Sequence, residues 1–454
     1  MGVNEQGIEQ VNRNGTFPFH PALALVDVNE WLRDRVHIPI NLSGSVASWD
    51  FHLSTPHRAA LSGSRFARSP HGNRFAFSMN DVAATAIRAA PRTKSTRAPN
   101  EIDFWRGFAL VSIFMNHIPG LWYEQFTHKN FGYTDSAELF VLLAGWSLRI
   151  LVDNQPLGIS PMRLTMRLGG RALTLYFAQL GISAIAIAMI AATALLLDNA
   201  LILQWNNAAA VFEAPGPAHI GLVILSHQLG YFDILPLYVV LMALGPIIAL
   251  IHRFLPSALL PLSLLIWAVT LATGINIPTY PVEGRWYFNP LAWQLIFVTG
   301  FVLGGRGPIK SAIEDWKAPI RVIGGAIVLV GYIGTVRHWY PEPLEVPEPF
   351  LFFVADKTFL TPLRYIHALG LVAFVGGSFW LILKYAQPLA RFFSMLGRNS
   401  LNVFCVGSLL SLGGQIVRFA VAHSLLVDTI VVIVGISAMS ATAWVSEWRT
   451  RLKD

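Results

Sequence analysis

The sequence predicts an all-α fold: a polytopic integral membrane helix bundle of about ten transmembrane helices. Three observations carry that expectation. Hydrophobic residues make up 54% of the chain and charged residues only 13%, a balance outside the range of soluble globular domains. Apolar stretches of roughly 18–25 residues recur, each long enough to cross a bilayer as a helix. The Lys and Arg residues between those stretches fall unevenly on alternate sides.

Taken in order, spans are expected at approximately 103–123, 136–153, 171–197, 231–252, 256–276, 289–306, 319–339, 360–384, 398–419 and 425–446. The first opens on Asp103-Phe104-Trp105-Arg106 and runs apolar to Met115, with Asn116 and His117 well inside it. Asp135 and Glu138 open the second, and Arg163, Arg167 and Arg171 lead into the third. Pro236 and Pro246 fall in the fourth, where a membrane helix tolerates them. Gln294 lies in the sixth, and Arg364 and His367 lie in the eighth, which begins near Pro362. The ninth holds Cys405, the only cysteine, so an intrachain disulfide and a thiolate metal cluster are both excluded.

Placing the start of the first span in the cytoplasm leaves twenty Lys and Arg residues, from Arg88 to Lys453, on the inner side. Only Lys129, Arg285, Arg337, Lys357, Arg364 and Arg418 fall outside. Both termini are therefore expected on the cytoplasmic side of the membrane. The net charge of +7 follows from this topology and does not point to nucleic-acid binding. Residues 1–97 hold only brief apolar runs and no signal-peptide core, and read as a disordered cytoplasmic extension or an over-extended gene start. Residues 98–454 read as one membrane domain.

Ionisable groups inside hydrocarbon cost several kcal/mol, which makes them functional candidates. Arg106 and His117 are eleven residues apart, about 20° off three full turns, so one helical face carries both, about 16 Å apart. That places a cationic mouth below a deeper proton-transfer group. Arg163, Arg167 and Arg171, spaced by four, line one face where guanidinium groups would pair with phosphates; as anchors they would obey the positive-inside rule alone. Depth at 1.5 Å per residue puts His117, His367, Arg364, Gln294 and Glu138 together in the outer third of the bilayer. Asn116 adjoins the histidine, and a carboxylate near the imidazole would orient it; Asp135 and Glu138 open the next span, and the sequence assigns that role to neither. Trp122, Tyr123, Trp286, Tyr287, Trp339 and Tyr340 read as an interfacial belt more simply than as a sugar platform.

Several segments together resemble the OpgC-type membrane acyltransferases. They are Ile102-Asp103-Phe104-Trp105-Arg106-Gly107, His117-Ile118-Pro119-Gly120, Asp135-Ser136-Ala137-Glu138-Leu139-Phe140-Val141 and Leu235-Pro236-Leu237-Tyr238. Phe288-Asn289-Pro290-Leu291-Ala292-Trp293-Gln294, Pro362-Leu363-Arg364-Tyr365-Ile366-His367 and Leu396-Gly397-Arg398-Asn399-Ser400-Leu401 extend the likeness over about 100–420. The wider group of transmembrane acyltransferases carries a basic residue, ten others and then histidine on its first helix, as Arg106 and His117 do here. The resemblance implies O-acyl transfer, typically of succinyl, from cytosolic acyl-CoA to osmoregulated periplasmic glucans, with no bound cofactor or metal. On that reading Arg106, Arg167 and Arg171 bind the acyl-CoA phosphates, and His117 deprotonates a sugar hydroxyl. Arg364 would meet the free carboxylate of a succinyl donor or anchor its helix at the outer surface. Gln294 is a substrate-binding candidate, and Asn116, Glu138 and His367 are catalytic ones. Besides membrane lipid, the partners are acyl-CoA and the glucan, and the oligomeric state is left open. The main alternative is a transporter or flippase of an anionic small molecule with His117 and His367 as proton relays. A non-catalytic subunit of a polysaccharide assembly is a third reading.

Overall fold

The structure, a computed structural model, describes residues 98–155, 160–422 and 424–453. The expected extension over 1–97 lies outside the described residues. Among these residues regular structure is helical, apart from one isolated bridge between Pro278 and Arg285. The first helices are α1 (Glu101–Asn116), α2 (Ser136–Asp153) and α3 (Pro161–Leu196), followed by the short α4 (Ala209–Glu213) and α5 (Pro215–Val223). Next come α6 (Ile234–Phe254), α7 (Leu259–Thr273), α8 (Pro290–Leu303), α9 (Pro308–Asp315) and α10 (Lys317–Val336). The chain closes with α11 (Pro362–Val375), α12 (Phe379–Tyr385), α13 (Gln387–Arg398), α14 (Ser400–Val421) and α15 (Leu425–Lys453).

Local chemistry sets the ends that matter for the site. Asn100 caps α1, its side chain accepting the Asp103 amide at 3.0 Å, and Glu101 and Asp103 oppose the positive helix end. Asp135 and Glu138 form a capping box on α2. Asn289 and Pro290 start α8 in the same economical way, a side-chain cap followed by proline at the first position.

The core is built around α8, whose residues from Ala292 to Phe301 are all buried. It packs on α2 and α7, while α1 lies between α2, α13 and α14. Two contacts depend on glycine. A Cβ at Gly145 of α2 would stand 1.8 Å from the Phe297 carbonyl oxygen, and one at Gly300 of α8 would stand 1.9 Å from that of Leu142. Between α1 and α13, Gly107 and Gly397 are equally tight against Phe393 and Asp103. Such backbone-to-backbone approach is how helices associate where lipid removes the hydrophobic drive between them. Large apolar side chains such as Leu195, Val322 and Leu426 stand exposed on the outward faces of α3, α10 and α15, the surface of a membrane protein.

Each of the ten expected apolar segments contains a helix, but a count of ten spans does not follow. Among the described residues, five helices are long and apolar enough to cross a membrane, namely α3, α6, α10, α14 and α15, or six if α11 and α12, bent by 46°, form one span. Helices α1, α7 and α8 are shorter, at 16, 15 and 14 residues. Helix α2 has 18 residues but carries Glu138, Arg149 and Asp153. The physical reason is plainest in α1, where the apolar run continues to Tyr123 but the helix stops at Asn116. Pro119 lies just beyond, and Gly120 takes a left-handed φ of 70°.

Candidate active site

Arg106, a turn and a half into α1, points at α2. Its guanidinium donates to the Leu143 carbonyl at 3.2 Å and to Ser147 Oγ, and lies 3.5 Å from Asp103. It is a buried cation whose acceptors come from the protein, and it joins α1 to α2. The arginines leading into α3 differ. Leu164, Leu168 and Ala172 face the core, which turns Arg163, Arg167 and Arg171 together onto an exposed face. Arg167 donates to Gln155 Oε1 at 2.8 Å. Arg149 stands apart, paired with Asp153 at 2.8 Å.

His117 caps the C-terminus of α1, its amide donating to the Ile113 carbonyl. The ring packs 5.1 Å from that of Tyr231, and Nδ1 is buried with no hydrogen-bond partner among the described residues. Gln415 of α14 donates to the His117 carbonyl at 2.6 Å, fixing the backbone that carries the imidazole. Neighbouring Asn116 accepts from Thr127 Oγ1 at 2.7 Å, which ties the following loop back to the helix end. Lys357, Asp135 and Lys129 act on the His117 ring electrostatically.

Two of those groups belong to an ion network at the start of α2. Glu138, 1% exposed at its side chain, receives Arg364 Nε at 2.8 Å and a second guanidinium N–H. Arg364 also lies 3.6 Å from Asp135. Lys357 donates to Asp135 at 2.5 Å and stands over the rings of Tyr287 and Phe288. Burial works against both charges, yet mutual attraction wins: Asp135 is held well below the usual carboxylate range, and Lys357 above the usual lysine value. Asp233, just before α6, makes no ion pair with any described residue. Burial, only partly offset by Lys357, pushes its carboxyl up to about 6. Lys357 and Asp135 of the network both act on it electrostatically.

The polar residues expected in the outer third are thus only partly gathered. Glu138 and Arg364 meet directly. Gln294 instead clamps α8 to α7, accepting from Ser263 Oγ at 2.6 Å and donating to the Ser263 carbonyl at 2.8 Å. His367 shares a 2.8 Å hydrogen bond with Thr134 through Nδ1. Its other edge fills a slot between two glycines: a Cβ at Gly132 would stand 2.1 Å from Nε2, and one at Gly331 would stand 2.3 Å away. No group of three or more His, Cys, Asp or Glu among the described residues has the arrangement of a metal site.

Sequence reasoning passed over Lys357, Asp233 and Tyr231. Lys357 was only a count among outer cations, although its position in a loop rich in aromatic residues was a signal. Asp233 and Tyr231 directly precede Leu235-Pro236-Leu237-Tyr238, a segment singled out for its own sake.

A family model described as OpgC protein matches residues 98–451, and the chain therefore belongs to the OpgC family. Membership suggests a membrane transferase that modifies glucans. The chain finds no similar curated protein and no similar solved structure.

Proposed function

We propose, from membership in that family and the placement of His117, that the protein transfers an acyl group, succinyl in the first instance, from cytosolic acyl-CoA to hydroxyls of a periplasmic glucan. The observation that carries the reading is His117 itself: a partly buried imidazole with an unpartnered ring nitrogen, on a helix end that Gln415 and Asn116 hold in place. Neutral imidazole is the side chain best suited to accept a proton near neutral pH.

In the proposed reaction His117 takes the proton of a sugar hydroxyl as its oxygen attacks the thioester carbon. The carbon–oxygen ester bond forms, the carbon–sulfur bond breaks, and CoA leaves as a thiolate that is then protonated. An acyl-histidine intermediate would use the same residue as nucleophile. The exposed guanidinium row of Arg163, Arg167 and Arg171 supports a docking place for the CoA phosphates. Arg106 has acceptors of its own and sets the helix that leads from that end toward His117. The orientation, with both termini in the cytoplasm, rests on the asymmetry of Lys and Arg.

The test is His117→Ala in purified, monodisperse protein, with acyl transfer followed by mass spectrometry of the glucan. A general base contributes about 10²–10⁴-fold, so transfer should fall by that factor while the protein remains folded. Retention of a third or more of wild-type turnover would remove His117 from this role.

A further inference from the structure

At the Pro119-Gly120 turn that follows His117 lies an open cavity of about 590 Å³, inside the range of about 300–1,000 Å³ usual for small-molecule sites. Its walls include Trp205 and Phe419, and its polar lining comes from Gln415 and Arg418 with the Pro119-Gly120 backbone. We propose that this cavity is the subsite that holds the acceptor sugar next to His117, an inference that rests on the acyltransferase reading above and gives it a location.

The lining matches the two faces of a pyranose. A sugar ring offers an apolar C–H face and a rim of hydroxyls that each donate and accept. Trp205 and Phe419 meet at 90° with ring centroids 5.1 Å apart, so they present two perpendicular apolar planes at one corner. Phe419 is 50% exposed, an aromatic surface left without a protein partner on one side. The hydroxyl rim would face a planar amide and a planar guanidinium. Gln415 bridges the cavity to the reaction centre, since its Nε2 donates to the His117 carbonyl and its Oε1 accepts from Asn206 at 3.3 Å. Asn206 adjoins Trp205, so one side chain ties the aromatic wall to His117.

Arg418 donates to the carbonyls of Pro119 and Gly120 and pairs through Nε with Asp428 at 2.8 Å. Two of the roughly five N–H groups of the guanidinium donate to those carbonyls, which leaves donors for a ligand. Its charge is balanced by Asp428, itself buried. A site with a neutralised cation suits an uncharged ligand carrying hydroxyls. It does not suit the phosphates of acyl-CoA, for which the exposed arginines on α3 are the better match.

The test uses full-length protein in lipid nanodiscs and a panel of neutral gluco-oligosaccharides differing in linkage. Binding is measured by calorimetry, and acyl transfer is measured with acceptor and donor varied separately. Phe419→Ala and Trp205→Ala should weaken oligosaccharide binding and raise the acceptor KM by about tenfold or more, as truncation of a central aromatic does. The donor KM should stay within about twofold of wild type, and Trp205→Phe should recover most of the lost affinity. Phe419 is half exposed, so its variant keeps the proposal testable if Trp205→Ala does not fold. If wild type binds and acylates the oligosaccharide and both alanine variants do so equally well, the subsite is overturned and the acyltransferase reading stands. If wild type neither binds nor acylates any member of the panel, the acyltransferase reading fails first and takes the subsite with it.

Discussion

The two ends of α2 handle charge in opposite ways. At its start, Asp135, Glu138, Lys357 and Arg364 are drawn into one another, with Glu138 almost wholly buried. Beyond its far end, Arg163, Arg167 and Arg171 share an exposed face of α3. The residue types overlap, and only the surroundings differ. A buried cation paired with carboxylates is already neutralised, so an anionic ligand would have to compete with that pair. An exposed row of cations has neither that constraint nor that stability. The first arrangement therefore fixes structure around His117, and the second is free to attract an anion from solution.

The sharpest way to break this contrast is to remove one partner from the buried end. Glu138→Ala leaves Arg364 buried beside Asp135 alone, and loss of one member of a buried pair costs about 3–5 kcal/mol. The expected outcome is a markedly lower unfolding temperature in detergent and poor recovery of monodisperse protein. Glu138→Gln keeps the shape and should lose less. If Glu138→Gln keeps wild-type stability and yet abolishes transfer, the network takes part in the chemistry and is more than a scaffold.

At the exposed end the expected effect is smaller and of another kind. Arg167→Ala and Arg171→Ala should leave thermal stability near wild type, because neither side chain is buried. Each should raise the apparent KM for acyl-CoA by the equivalent of about 1.5–3 kcal/mol, the usual worth of a charge-assisted hydrogen bond, while acceptor saturation is unchanged. Unaltered donor dependence in both variants would make the row a positive-inside anchor and nothing more.

The same contrast explains what could be read from the chain. Apolar stretches announced ten helical segments, because burial in lipid demands them. The length of each helix was less visible, since it hangs on single residues such as Pro119 and Gly120 after α1. His117 stood out as a polar group in apolar surroundings. What Glu138, Arg364, Gln294 and His367 do was hidden, because each partner is remote in sequence: Glu138 and Arg364 are 226 residues apart. The slot around His367 is made by Gly132 and Gly331, and nothing about an isolated glycine foretells the ring it admits. Depth along a helix axis placed these residues at one level. It did not say which way they face.

Asp233 supplies the smallest effect and a separate probe of the outer end. Unlike Asp135 and Glu138 it makes no ion pair with any described residue, and burial lifts its carboxyl from an ordinary 3.8 to about 6. A carboxyl that binds its proton more tightly when folded weakens the fold once that proton must leave. The cost is absent below about pH 4, grows as pH rises through 6, and is complete above that. Asp233→Asn, neutral throughout, should therefore be more stable than wild type near pH 8, by roughly 1 kcal/mol after allowance for solvent screening, and indistinguishable from it near pH 4. Differential scanning fluorimetry of both proteins across that range measures the gap directly. A gap that stays constant with pH would mean that the carboxylate has a counter-charge at hand, as Glu138 has in Arg364.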